Sequence, residues 1–151
     1  MVVPPVHTFM EHIEFVYTFG MDESEIEERL TSRENGVLSL AKEGAAYAVP
    51  ISFHYTEGEI YIRLARHEGS KKIDYVDSTA EACFLLYEYA DDGSSWSVLA
   101  VGEITKVGDG FDKAALNEEF PELRIFDESI DDVEVEIYRL DVKEITGRQT
   151  E

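Results

Sequence analysis

Val37-Leu38-Ser39-Leu40-Ala41, then Ala46-Tyr47-Ala48-Val49-Pro50-Ile51-Ser52-Phe53-His54-Tyr55, then Glu59-Ile60-Tyr61-Ile62-Arg63-Leu64-Ala65: these three segments decide the fold class. Each is apolar-rich, and short turns that hold a glycine, Glu43-Gly44 and Thr56-Glu57-Gly58, separate them. In the third, Ile60, Ile62 and Leu64 alternate against Tyr61 and Arg63, the period of a strand with one face buried. Three such runs with tight turns predict an antiparallel meander.

Working outward, Arg66 to Gly69 reads as a loop that opens a short helix over Ser70 to Val76. Strands resume over Glu81–Tyr89 and Trp96–Val107, split by the turn Asp91-Asp92-Gly93-Ser94. The second of these is apolar on both parities, which predicts a central strand buried on both faces. Gly102 within it suggests a kink or bulge. Phe111 to Phe120 reads as a further helix stopped by Pro121. The last strand is expected over Val133 to Val142, with its apolar phase flipping between Ile137 and Tyr138 at a bulge or a crossing between faces. On the N-terminal side, Asp22 and Glu25 form a capping-box pattern that opens a helix carrying Ile26 and Leu30 on one face. It is expected to end near Arg33, with Asn35-Gly36 as the stop. Residues 1–20 hold Phe9, Phe15, Tyr17 and Phe19 without periodicity and read as an extended arm. About six strands and two or three short helices, with no long crossover helices, predict an all-β fold: one β-rich domain over 1–151, a six-stranded antiparallel barrel.

The charge balance is extreme. Thirteen Lys and Arg stand against 33 Asp and Glu, a net −20. Such a field repels nucleic acid and anionic membrane. Acids spread over the whole chain, with only six Lys, suggest a halophilic protein of a salt-rich cytoplasm that is poorly stable at low salt. Plain solubility is the alternative. No basic start with an apolar core marks a signal peptide, and no apolar run is long enough for a membrane-spanning helix. A soluble cytoplasmic protein is therefore expected. The single cysteine, Cys83, lies in the apolar run Ala82 to Leu86 and reads as a packed thiol.

Against that background residues 63–72 stand out. Arg63, Arg66, Lys71 and Lys72 place four of the thirteen cations in ten residues, with Glu68 the single acid. The segment runs from strand through Gly69 to a helix start at Ser70, so a hydroxyl, helix amides and two ammonium groups can meet on one spot. That combination suits a bound phosphate; a solvated basic turn is the plainer reading. Pro50 inside an apolar strand removes one ladder hydrogen bond. It marks either a protected edge or a stretch of backbone left free for a planar ligand. The four histidines (His7, His12, His54 and His67) show no metal-ligand spacing, and Ser52, Ser70 and Ser97 lie in no nucleophile motif. Trp96 opens a strand after a polar turn, as a half-exposed anchor or a stacking group.

In order and spacing these pieces resemble the pyridoxamine 5'-phosphate oxidase-like, FMN-binding split-barrel family. Gly36-Val37-Leu38-Ser39-Leu40-Ala41, Tyr47-Ala48-Val49-Pro50-Ile51-Ser52-Phe53, Ile60-Tyr61-Ile62-Arg63, Gly69-Ser70-Lys71-Lys72 and Trp96-Ser97-Val98 with Gly102 carry the likeness, over about residues 22–108. The resemblance implies a homodimer of split barrels with one FMN in each of two interface grooves. Val49, Pro50, Ile51, Ser52 and Phe53 would line the flavin ring. Arg63, with Leu64 beside it, and Ser70, Lys71 and Lys72 would hold the phosphate. Trp96 and Ser97 would approach the flavin, across the interface.

Two departures matter. Many relatives carry His where Arg63 stands. The oxidase itself binds its phosphorylated substrate with basic residues near its C-terminus, whereas beyond Arg124 this chain is acidic and carries only Arg139, Lys143 and Arg148 as cations. The expectation is a short relative that acts on a small molecule of undefined identity, with pyridoxamine phosphate disfavoured as the substrate. A module that binds flavin or deazaflavin without turnover, and an interaction protein without ligand, are the alternatives. No acid–base pair stands out, so no catalytic residue is assigned.

Overall fold

The structure, a computed structural model, describes residues 18–66, 70–107 and 134–150. Seven strands run in chain order: β1 (Thr18–Gly20), β2 (Asn35–Lys42), β3 (Ala45–Thr56), β4 (Glu59–Arg66), β5 (Ala82–Tyr89), β6 (Ser95–Lys106) and β7 (Glu134–Thr150). Two helices, α1 (Glu23–Thr31) and α2 (Lys71–Ser78), complete the described elements. The strands are hydrogen-bonded in the order β1-β7-β4-β3-β2-β5-β6, and β6 also pairs with β7. That last pairing closes β2, β3, β4, β7, β6 and β5 into a six-stranded antiparallel barrel, as the strand count predicts.

The hairpins follow from local chemistry. Glu43 and Gly44 both take positive φ (49° and 82°), as do Glu57 and Gly58 (50° and 79°). Two central residues of that sign make the two-residue turn whose twist matches the strands it joins, and glycine adopts the second position without strain. Phe53 and Phe84, from the two strands that flank β2, meet edge to face at 4.8 Å in the interior. Leu38, Ile60, Ile62, Leu64, Val98, Ala100, Tyr138 and Leu140 fill the rest. The helices cover the ends with pairs spaced for one face, Ile26 and Leu30 on α1, Ile73 and Val76 on α2.

Several expectations need correction. The capping box at Asp22 and Glu25 forms, but α1 ends at Thr31 with Ser32 as its cap, and Asn35 and Gly36 open β2 instead of stopping the helix. Ser70 is the N-cap of α2 by position, yet its side chain makes no capping bond. The ladder is continuous through Ile137 and Tyr138. The phase flips there because both faces are covered: Tyr138 joins the barrel core, and Ile137 joins a second cluster with Tyr61 and Val107. The bulge sits later in β7, where Val101 opposes Glu144 while Gly102 opposes Val142. Gly102 is where it must be: a Cβ there would lie 2.1 Å from the Asp141 carbonyl oxygen. β7 also runs to Thr150, beyond the expected end. On β6 only one parity is buried, since Leu99 is 40% exposed on the other. Cys83 shares that outer parity and is half-buried. The arm up to Tyr17 and the helix expected over Phe111 to Phe120 lie outside the described residues.

Candidate functional site

The barrel opens between β3 and β4. Their pairing runs only from Ser52–Arg63 to Thr56–Glu59. From Ala45 to Ile51, β3 pairs with β2 alone, and from Leu64 onward β4 pairs with β7 alone. Ser52 and Arg63 therefore face each other where the two strands part. Pro50 lies two residues along, exposed, opposite Val37. This proline sits on a stretch of β3 with one edge unpaired among the described strands. The alternation places Pro50 and Ser52 on the outer surface, while Ile51 and Phe53 are buried in the core and Val49 packs against it from a half-buried position.

Arg63 is only 6% exposed. Burial pulls its guanidinium below the usual arginine range, though such a group stays charged. Leu64 points the other way, into the core. Ser70 is buried, and its hydroxyl oxygen has no hydrogen-bond partner among the described residues. A buried hydroxyl left unmade costs on the order of 1–3 kcal/mol, so a site that supplies an acceptor would recover it. Lys71 follows, exposed, with its ammonium 5.0 Å from the Tyr47 ring centroid and 5.6 Å from that of Tyr75. The two rings lie 5.1 Å apart. This aromatic seat for Lys71 was not legible in the sequence, because it joins residues 24 and 28 positions apart across β3 and α2. Lys72 is half-buried.

Trp96 and Ser97 point in opposite directions. Trp96 is 7% exposed and belongs to the core, not to a half-exposed anchor. The Arg29 and Arg33 guanidinium carbons lie 4.6 and 5.1 Å from its ring centroid, and its indole nitrogen has no hydrogen-bond partner among the described residues. Arg33 also pairs with Glu88. Trp96 and Pro50 line one crevice of about 220 Å3, together with Arg33, Asn35, Gly36 and Tyr87. Enclosed ligand sites usually measure about 300–1,000 Å3. A flat ring system therefore needs more wall than this crevice offers. Ser97 faces outward beside Tyr87. Among the described residues no group of three or more His, Cys, Asp or Glu is placed to hold a metal, and no helix is long and apolar enough to cross a membrane.

The sequence profile of the pyridoxamine 5'-phosphate oxidase family matches residues 22–149, nearly the whole described barrel. The chain belongs to that family. Similar solved structures include a candidate pyridoxamine 5'-phosphate oxidase of Corynebacterium glutamicum, 25% identical, covering 89% of this chain and 94% of that one with a TM-score of 0.65. An FAD-binding protein of Mesorhizobium loti is 18% identical over 89% of this chain and 99% of its own, with a TM-score of 0.69. An FAD-binding protein of Mycobacterium smegmatis is 21% identical over 87% and 97%, with a TM-score of 0.66. At those last two identities the likeness is one of fold. No curated protein matches. Flavin binding thus recurs among the neighbours of this family member.

Proposed function

We propose that this family member binds FMN on the outer groove where β3 and β4 part, and that it is an oxidoreductase acting on a small molecule in the cytoplasm. The observation that carries the reading is the Ser70 hydroxyl, buried and without a partner among the described residues, followed by Lys71 and Lys72 in a chain of net −20. Arg63, Ser70 and the two lysines would hold the phosphate. The exposed edge of β3 around Pro50 and Ser52 would present backbone groups to the ring, over a core wall of Val49, Ile51 and Phe53. When bound, the flavin supplies hydride and electron transfer. The chain supplies position, a positive spot in a negative field, and shelter from water.

A second copy of the chain would complete the groove. The outward positions of β2, β3, β5 and β6 next to it are uncharged: Val37, Ser39, Pro50, Cys83, Leu85, Leu99 and Val101 among them. An uncharged, partly apolar sheet face on so acidic a chain fits the interface of a homodimer, and twofold symmetry would give two grooves. Trp96 and Ser97 would approach the flavin from that side.

Flavin titration of single variants tests the phosphate assignment. Lys71→Ala and Lys72→Ala should each weaken FMN by about 1–3 kcal/mol and leave riboflavin, which lacks the phosphate, unchanged. FMN affinity equal to wild type in both variants would overturn it. FAD in the same titration tells which flavin the groove prefers. The second reading, a flavin- or deazaflavin-binding module without turnover, is favoured by the lack of an acid–base pair beside Pro50 and Ser52 among the described residues. Rapid bleaching of bound flavin by a nicotinamide donor, with release of a reduced product, separates the enzyme from the module.

A further inference from the structure

A larger cavity lies under α1, away from the flavin groove. It measures about 540 Å3, within the usual range for small-molecule sites, and shares no lining residue with the crevice beside Pro50. The β7 bulge helps to shape it. One extra residue at Lys143 resets the alternation of the strand, so Val142 and Ile145 both face the cavity. Val142 is 36% exposed, an apolar surface open at the mouth. Met21, Ile26, Leu30 and Ile60 make the remaining apolar wall.

Among the described residues the polar lining has one sign. Glu23 and Glu27 stand one turn apart on α1, on the side that carries Ile26 and Leu30, and the Tyr55 phenol completes the set. Among the described lining residues there is no Lys, Arg or His. Neither carboxylate is in a salt bridge among the described residues. Burial first, and the charges of Glu27 and Glu23 after it, push the Tyr55 phenol above its usual range. Both carboxylates therefore act on the hydroxyl inside the cavity wall, and the hydroxyl stays protonated at neutral pH.

We propose that this cavity binds an organic cation, an ammonium group on an apolar body of about one ring and a short chain. The apolar wall takes the body, and the two carboxylates with the Tyr55 hydroxyl take the ammonium. An anion of the same shape meets two like charges. A neutral molecule displaces water from the carboxylates and gives nothing in return. A bare divalent metal would find too few oxygen ligands among apolar walls. The net −20 of the chain also raises the local concentration of cations. The proposal is independent of the flavin groove.

Calorimetric titration of the full chain, loaded with FMN, tests it with three probes of one shape: 4-phenylbutylamine, 4-phenylbutanol and 4-phenylbutyrate. The amine should bind once per chain, about tenfold more tightly than the alcohol, with the butyrate weaker still. Glu23→Gln with Glu27→Gln should reduce the amine to the affinity of the alcohol. Val142→Trp should fill the mouth and remove both. FMN titrations should be unchanged throughout. Equal affinity for amine and butyrate would overturn the proposal. So would amine binding that survives Val142→Trp or exceeds one per chain, since general attraction to an acidic surface behaves that way. Glu23 and Glu27 are exposed, so the double variant folds and decides the matter even if Val142→Trp does not.

Discussion

The barrel has two outer faces that treat water differently. On the face formed by β4, β7 and the end of β6, the outward side chains satisfy one another. Tyr61 donates to Glu59 at 2.5 Å, Arg139 to Asp141 at 2.7 Å, and Thr105 to the same carboxylate at 2.7 Å. Ile137 and Tyr61 lie beneath as a small second cluster. On the face formed by β2, β3, β5 and the start of β6, the outward positions carry Ala, Val, Ser, Pro, Leu, Tyr and Cys, with Asn35 and His54 as its polar members toward β4, and Leu99 and Tyr87 are 40% and 55% exposed. The first face is finished as a solvent surface. The second leaves apolar area uncovered in a chain whose other surfaces are crowded with acids, the pattern of a surface that meets a partner. On β6 the boundary falls at the bulge: Leu99 and Val101 before Gly102, Glu103 and Thr105 after it.

Removing that boundary should have the largest effect. Gly102→Ala drives a methyl group into the Asp141 carbonyl, a backbone atom that cannot turn aside. It should cost about 3 kcal/mol or more in urea unfolding, because both strands must shift. A loss under about 1 kcal/mol would mean that β6 and β7 have room to separate. Next comes the contrast between faces. Val101→Glu should give a folded monomer by analytical ultracentrifugation, with FMN affinity down by at least about tenfold, since a charge buried twice across a twofold axis is costly. Thr105→Glu, on the finished face, should cost about 1 kcal/mol, because it removes the hydroxyl bond to Asp141 and sets a second carboxylate beside it, and should leave assembly alone. A monomeric Val101→Glu that keeps full FMN affinity would place the flavin within one chain.

Salt should act on the same contrast. Two chains bring about forty net negative charges together, twice the −20 of one. The proposed dimer should dissociate or unfold as potassium chloride falls below roughly molar levels, when the screening length grows past ~3 Å. Light scattering with circular dichroism across a salt series checks this; a folded dimer in dilute buffer would remove the high-salt reading.

The smallest effect belongs to the finished face. Burial works to raise the Asp141 carboxyl, but the hydrogen bonds from Thr105 and Arg139 and the guanidinium charge outweigh it and hold the group below its usual value. A carboxylate lowered in the folded state stabilises above its unfolded value, and the contribution is lost as pH falls through the folded one. Asp141→Asn should therefore cost less than about 1 kcal/mol, the range of exposed pairs. The cost should be flat from about pH 8 to 5 and shrink only below about 4. A cost that vanished near neutral pH would assign the stability to another group.

Much of the fold was legible because strands and hairpins are local. Ile60, Ile62 and Leu64 announced their face by period, and Gly44 and Gly58 announced their turns by the backbone signs they permit. The Asp22–Glu25 box was legible for the same reason. The end of α1 was misread because Asn35-Gly36 suits a helix stop as well as a strand start; pairing of Asn35 with Ser52 and of Gly36 with Ile51 decided it. The flip at Ile137 looked like a bulge because sequence period records burial on one face at a time, and here both faces are covered.

The basic segment and Pro50 were visible as contrasts against an acidic, apolar background. Their chemistry was not. Ser70 reads as an ordinary cap; only the packing around it leaves its hydroxyl buried without a partner among the described residues. Trp96 reads as an anchor at a strand start; its burial beneath Arg29 and Arg33 depends on α1 lying across the barrel end. The sequence by itself determined strand period, hairpin turns, net charge and the order of motifs that places the chain in its family, because each depends on neighbours within a few residues. The tertiary structure alone decided where β3 and β4 part, which residue of β7 bulges, and that Glu23, Glu27 and Tyr55 line one cavity, because those facts depend on contacts between residues tens of positions apart.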